Sequence, residues 1–134
     1  MEIEYALIAD YAEIVGGKLY VMGAGWDHTF APEAPATVRF AAAIGVRVGW
    51  EETNVQVPVK VTVEDDDAQE LVRVDGAVQV GRAPGLPPGT SQLAQFAINL
   101  TLALPRFGGY RMRVEAGEGE GAAIATRPFR LVHR

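Results

Sequence analysis

The sequence predicts an all-β protein, an antiparallel β-sandwich of about eight strands on an immunoglobulin-like plan, with a jelly roll as the alternative. Three observations carry that prediction. Apolar residues recur with period two along most of the chain, the mark of strands with one buried face. Turn-forming clusters punctuate it at regular spacing: APEAPA at 31–36, GWEETN at 49–54, EDDDA at 64–68, APGLPPGTS at 83–91, PRFGG at 105–109 and EAGEGEG at 115–121. No amphipathic helix of any length is visible; ADYAEIV has room for one turn before it runs into Gly16-Gly17.

Taken in order, IEYALIA is apolar on both parities and predicts a first strand covered on both sides. Gly16-Gly17 then forms a two-residue hairpin turn, because glycine takes the positive φ angles that primed turns require. The returning strand ends in MGAGWDH, where Gly23 and Gly25 fit a bulge or a close backbone approach. In VRFAAAIGVRV, Val38, Phe40, Ala42, Ile44, Val46 and Val48 share one face. VQVPVKVTVE turns Val55, Val57, Val59, Val61 and Val63 inward, and Pro58, which has no N–H to donate, marks an edge strand or a bulge. QFAINLTLAL aligns Phe96, Ile98, Leu100, Leu102 and Leu104. In GYRMRV, Tyr110, Met112 and Val114 alternate with Arg111 and Arg113, and Tyr110 opens a late strand just after a turn, like the tyrosine corner of immunoglobulin-like folds. The last segment switches parity between Ile124/Thr126 and Phe129/Leu131, which predicts a β-bulge at Pro128.

Composition bounds function by exclusion. A chain of 134 residues with 49% hydrophobic and 22% charged residues fits one globular domain over 1–134 with its own core. A net charge of −5 argues against nucleic acid as a partner and against docking on anionic membrane. With no cysteine there is no disulfide, thiolate metal site or Cys nucleophile. Two glutamates near the N-terminus and no long apolar run predict a cytoplasmic protein without a secretory signal. Arginine greatly outnumbers lysine, and alanine, glycine and valine are abundant, a bias associated with GC-rich bacterial genomes.

Catalytic equipment is thin. Ser91 is the only serine and lies in a Pro/Gly loop without the strand–turn–helix setting of a nucleophile elbow; His28 and His133 are the only histidines. GAG in MGAGW lacks the rest of a dinucleotide fingerprint, so no cofactor is expected and no residue is assigned to catalysis.

Four groups remain as candidates. Asp65, Asp66 and Asp67 offer oxygen ligands for calcium, against the competing reading of a solvated turn. Trp26, Asp27 and His28 form one wall of a prospective ligand site, with Trp50, Glu51 and Glu52 from GWEETN as the other. Both are Gly-Trp-acid stretches at a strand-to-loop transition, and the competing reading makes Trp26 a cap on the core. Arg111, Arg113, Arg127, Arg130 and Arg134 make a basic stripe if their strands are neighbours, for an acidic partner or for cross-strand pairing with glutamates. Finally, the outward parity of the third strand reads Arg39, Ala41, Ala43, Gly45, Arg47, a flat face of small residues that another sheet, a loop or a second copy would cover. It predicts a homodimer interface around Arg39, Ala41, Ala43 and Arg47.

EYALIAD, GGKLYVMGAGWD and LPRFGGYRMRV together resemble a family of small bacterial proteins classed as a domain of unknown function. Its members begin with an EYALLAD-like strand and a GKLyvlGgGwd-like strand and end with an LP…GrYrfrv-like element. The resemblance implies a β-sandwich, brings no activity or catalytic residue, and makes Gly23, Gly25 and Trp26 features of the fold. Two expectations follow: a non-catalytic module that binds an as yet unidentified protein partner and itself, or a small-ligand or metal-binding sandwich using its Trp-bearing loops.

Overall fold

The computed structural model describes residues 1–134. Nine strands follow one another: β1 (Glu2–Val15), β2 (Lys18–Ala24), β3 (His28–Ala31), β4 (Ala36–Val48), β5 (Val57–Asp65), β6 (Glu70–Val78), β7 (Gln92–Leu104), β8 (Gly108–Ala116) and β9 (Ala123–His133). They form a four-stranded sheet, β2-β1-β4-β7, and a five-stranded sheet, β3-β9-β8-β5-β6. All neighbours are antiparallel except β3, which runs parallel to β9. This is an immunoglobulin-like sandwich. The chain passes from the first sheet to the second between β4 and β5, returns between β6 and β7 and crosses again between β7 and β8, while β3 leaves the first sheet to pair along the last strand.

The period-two pattern becomes the core as the sequence predicts. Phe40, Ala42, Ile44, Val46 and Val48 of β4 face Val59, Val61 and Val63 of β5 and Tyr110, Met112 and Val114 of β8 across the sandwich. Leu102 and Leu104 of β7 are buried with them, and Phe96, Ile98 and Leu100 pack at the margin. The tyrosine corner is present: Tyr110 Oη donates to the Arg106 carbonyl at 2.5 Å and accepts the Arg106 N–H at 3.2 Å, pinning the β7–β8 corner. Gly16 and Gly17, at φ 58° and 74°, close a two-residue turn with Val15 opposite Lys18.

The structure also shows what covers the flat alanine face. Pairing between β1 and β4 stops at Ala9–Ala41, whereas β1 continues with β2 as a hairpin to Val15. Ala9 and Ala12, three apart, lie in one cluster with Ala41 and Ala43, so alternation breaks between them, beside Gly23 at φ 64°. The hairpin thereby lies on the outer face of its own sheet, with Leu19, Val21 and Ala97 packed against the four alanines. Where β4 no longer pairs with β1, the Asn99 side chain of β7 takes over: its Oδ1 accepts the Ala12 N–H at 3.1 Å and its Nδ2 donates to the Ala12 carbonyl at 2.7 Å. Near the hairpin turn, Gln95 Nε2 donates to the Gly17 carbonyl.

This corrects the predicted interface. Ala41 and Ala43 are fully buried within the single chain, and Arg47 is paired with Glu4 across β1–β4 at 2.6 Å; of the four residues only Arg39 is exposed without a charged partner. Small residues are needed there because a hairpin, not a second copy, lies on them.

Other expectations need correction. Pro58 lies on neither an edge nor a bulge: β5 runs between β8 and β6, and Pro58 stands just past Val59–Ala116, the last β5–β8 pair, where its carbonyl accepts the Gly117 N–H. β9 has no bulge, since its register with β8 is unbroken. Its inward row is Ala123, Ala125, Arg127, Phe129 and Leu131, and Ile124 faces solvent. Arg127 holds an inward position by reaching across to β1, where its Nε donates to the Ala6 carbonyl at 3.0 Å. Pro128 costs no ladder bond, because its nitrogen faces the side where β3 begins to pair only from Arg130 onward. ADYAEIV is strand throughout, and Val55 lies before β5, exposed.

Candidate binding site

Trp26-Asp27-His28 is the crossover from β2 to β3, and so from one sheet to the other. The Trp26 ring wedges between the sheets, edge-on to Phe40 of β4 at 6.2 Å and to Phe129 of β9 at 6.1 Å. It closes this end of the core, as the competing reading of the sequence had it. The Asp27 carbonyl accepts the Arg130 N–H at 2.9 Å, which sets β3 beside β9. The Asp27 carboxylate lies 2.8 Å from His28 Nδ1, and both side chains remain exposed.

Trp50, Glu51 and Glu52 do not join them. Trp50–Glu52 forms a short 3-10 turn after Val48, whereas Trp26 packs on Phe40. Eight residues of β4 separate Phe40 from Val48, about 26 Å of extended chain, so the two Gly-Trp-acid stretches cap opposite ends of the sandwich. The Trp50 ring is covered by the Arg82 guanidinium at 3.9 Å, and Arg82 also donates to the Trp50 carbonyl and the Thr53 hydroxyl.

The aspartate cluster serves the fold. Asp65 Oδ1 accepts the N–H groups of Asp67 and Gln69, both at 2.9 Å, and Oδ2 accepts Arg106 Nη2 at 2.8 Å. The Gln69 N–H, opposed by burial and joined by the Asp67 N–H and Arg106, holds the Asp65 carboxyl below its ordinary pKa. Asp65 thus ties the β5–β6 hairpin to the residue that anchors the tyrosine corner. Asp67 also contacts Arg106, at 3.3 Å, and no three acidic or histidine side chains converge to hold a metal. The calcium reading does not fit: the best-placed carboxylate is already committed to protein donors.

Most of the basic stripe is paired. Arg111 bonds Glu64 at 2.5 Å and Arg113 bonds Glu115 at 2.7 Å; Arg127 is bound to backbone carbonyls, and Arg134 lies over the Phe30 ring. Arg130 has no such partner.

Instead Arg130 belongs to a row across the outer face of the five-stranded sheet. The β5–β8 ladder ends with Asp65 opposite Tyr110, so Asp66 follows beside Gly109; Gly109 is opposite Arg130, and Arg130 opposite His28. An imidazole, a guanidinium, a bare glycine and a carboxylate stand side by side. A methyl group on Gly109 would meet Asp66 Oδ2 at 2.5 Å, so the carboxylate leans over the glycine. Together with Asp27 and Pro128 these residues line an open trough of about 460 Å³, within the size range of small-ligand sites. Sequence reasoning named Asp66 as a metal ligand, Arg130 as part of a stripe and Gly109 as a turn residue. Their meeting depends on the register of four strands, which no local motif signals.

On the opposite sheet, the docked hairpin presents a surface of its own. The cross-strand pairs Tyr11–Met22, Glu13–Tyr20 and Val15–Lys18 share its outer face, with Val15 and Tyr20 each 52% exposed and Met22 68% exposed. β2, the edge strand of its sheet, borders this patch.

Residues 4–130 match the model of a family of unknown function, DUF6941, and the chain belongs to that family. No curated protein matches it. Among solved structures it is similar to the CARDB domain of the PF1109 protein from Pyrococcus furiosus, crystallised in complex with di-metal ions. The TM-score is 0.45 and the identity 12%, over 100% of this chain and 98% of that one.

Proposed function

We propose that this member of a family of unknown function is a non-catalytic binding module, which docks protein partners, a second copy of itself first among them, through the outer face of the β1–β2 hairpin. The observation that carries the reading is the hairpin's two-sidedness. Leu19 and Val21 are spent on the alanine face beneath, yet Tyr11, Val15, Tyr20 and Met22 are turned to water on the other side, where nothing in the monomer requires them. Aromatic residues and methionine are the types enriched at protein interfaces. Glu13 and Lys18 on the same face give it self-complementary charge: a two-fold axis through the hairpin sets Glu13 of one copy against Lys18 of the other.

Position speaks against Ser–His nucleophilic catalysis. Ser91 precedes Gln92, which pairs with Val48 at the Trp50 end, whereas His28 and His133 lie beside β3 and the end of β9 at the other. The one serine and the two histidines are a sandwich length apart and cannot act as a nucleophile and its base, which need hydrogen-bond contact.

Sedimentation or light scattering at high micromolar concentration tests the reading. The expected result is a dimer that Tyr20→Glu and Met22→Glu dissociate without lowering the melting temperature. A strictly monomeric wild type, or a dimer indifferent to both substitutions, refutes it. The Asp27–His28 pair and the trough beside it favour the small-ligand alternative at a different surface.

A further inference from the structure

We infer that the trough over Gly109 binds a small zwitterion of the free amino-acid type, its carboxylate on Arg130 and its ammonium on Asp66. The trough holds an unmade ion pair. Among the arginines of the five-stranded sheet, Arg73, Arg111 and Arg113 each meet a carboxylate and Arg127 meets backbone carbonyls, so this sheet neutralises its cations wherever geometry allows. Arg130 and Asp66 are the exception. They share one cross-strand row, yet no contact within 4 Å joins them or joins either to another charged group.

Gly109 keeps them apart. It stands between them in the row and contributes no side chain, and the Asp66 carboxylate leans over it; the Cα atoms of cation and anion stand two strand spacings apart, about 10 Å, and both groups border one trough without touching. A molecule that carries an anionic and a cationic group on one carbon completes both pairs at once. A simple anion would leave Asp66 unpaired and repelling it, and a simple cation would do the same at Arg130. Pro128 and Val132 border the same trough and give an apolar surface for a side chain. His28, directly opposite Arg130 and held by Asp27 at 2.8 Å, flanks the trough on the carboxylate side. The volume of about 460 Å³ accommodates a ligand of this size. The site lies on the sheet opposite the hairpin, so it stands or falls independently of the proposed docking surface.

The experiment titrates the full chain with a panel of common free amino acids, their methyl esters and their N-acetyl derivatives, read by amide chemical shifts and calorimetry. At least one amino acid should bind saturably, with shifts centred on Gly109, Arg130 and His28. Its ester and its N-acetyl form should each bind about tenfold more weakly or worse, since each lacks one charged partner. Arg130→Gln should abolish discrimination against the ester, and Asp66→Asn discrimination against the N-acetyl form. Both substitutions are at the surface, and unchanged melting temperatures verify the fold. No saturable binding at millimolar concentration, shifts centred elsewhere, or equal affinity for the blocked forms overturns the assignment.

Discussion

Asn99 offers the sharpest test of how the hairpin is held. Its side-chain amide replaces a missing strand: it accepts from the Ala12 N–H and donates to the Ala12 carbonyl at a point where β1 has parted from β4 and faces no backbone partner on that side. Ala12 is fully buried. Replacing Asn99 by leucine keeps the bulk, removes both bonds and strands a donor and an acceptor without water, at a cost of about 2–4 kcal/mol for the pair. A chain of 134 residues unfolds with an entropy near 0.3 kcal/mol per kelvin, so the melting temperature should fall by about 7–14 °C. Urea denaturation gives the free energy and hydrogen exchange its location, with the Ala12 amide losing protection ahead of the β4 and β8 amides. Thr101→Val, two residues along the same outward row, is the control. A loss below about 0.5 kcal/mol with Ala12 still protected would show that the alanine contacts alone seat the hairpin, and the strand-mimic reasoning would fail.

Tyr110→Phe removes the hydroxyl that both donates to and accepts from Arg106, and should lower stability by about 1–3 kcal/mol in urea titration while near-ultraviolet dichroism keeps its native form. Ala43→Leu inserts bulk beneath the hairpin and should cost about 1–3 kcal/mol in the same assay, whereas a leucine at exposed Arg39 should change little. Asp65 titrates below its ordinary value in the folded chain, so its contribution is fully present above the unfolded carboxylate pKa, about 3.9, and is lost as pH falls through the folded one. The urea midpoint of the wild type should therefore drop on acidification below about pH 4, and Asp65→Asn should lower the midpoint at neutral pH and flatten that drop; an unchanged slope contradicts the assignment.

What the sequence made legible was whatever repeats locally. Alternation fixed the inward faces of β4, β5, β7 and β8, because side-chain parity follows directly from the pleat. Tyr110 was legible because a tyrosine just after a turn, opening a late strand, has one common use in sandwiches. The bulge expected at Pro128 failed because parity was read from hydrophobicity, and Arg127 occupies an inward position by carrying its charge across to the other sheet. β6 escaped notice although Val72, Val74 and Val78 alternate with Arg73, Asp75 and Ala77: Gly76 interrupts the inward row, and as an edge strand neither face is fully buried. The alanine face was legible as a covered face, but not its cover: a side-chain amide from β7 closing on a backbone 87 residues away leaves no local mark. The trough is the extreme case, built from four strands whose residues become neighbours only through register.

The cover itself decides which surface is left for a partner. A flat alanine face with its own sequence on top has no exposed area to offer, and a charge placed at position 43 would unseat the hairpin before it disturbed a dimer. The proposed docking surface therefore lies one layer outward, not on the small residues of β4 but on the larger ones of the hairpin, where Tyr20 and Met22 stand on a two-stranded element clamped by Asn99 and Gln95. A clamped hairpin loses little conformational entropy on docking, which favours affinity from a modest patch. The trough over Gly109 opens on the opposite sheet, so a two-fold pair joined through its hairpins turns both troughs outward to solvent. Dimer formation and ligand binding are then thermodynamically separate, and saturating the trough should leave the dimer dissociation constant where it was.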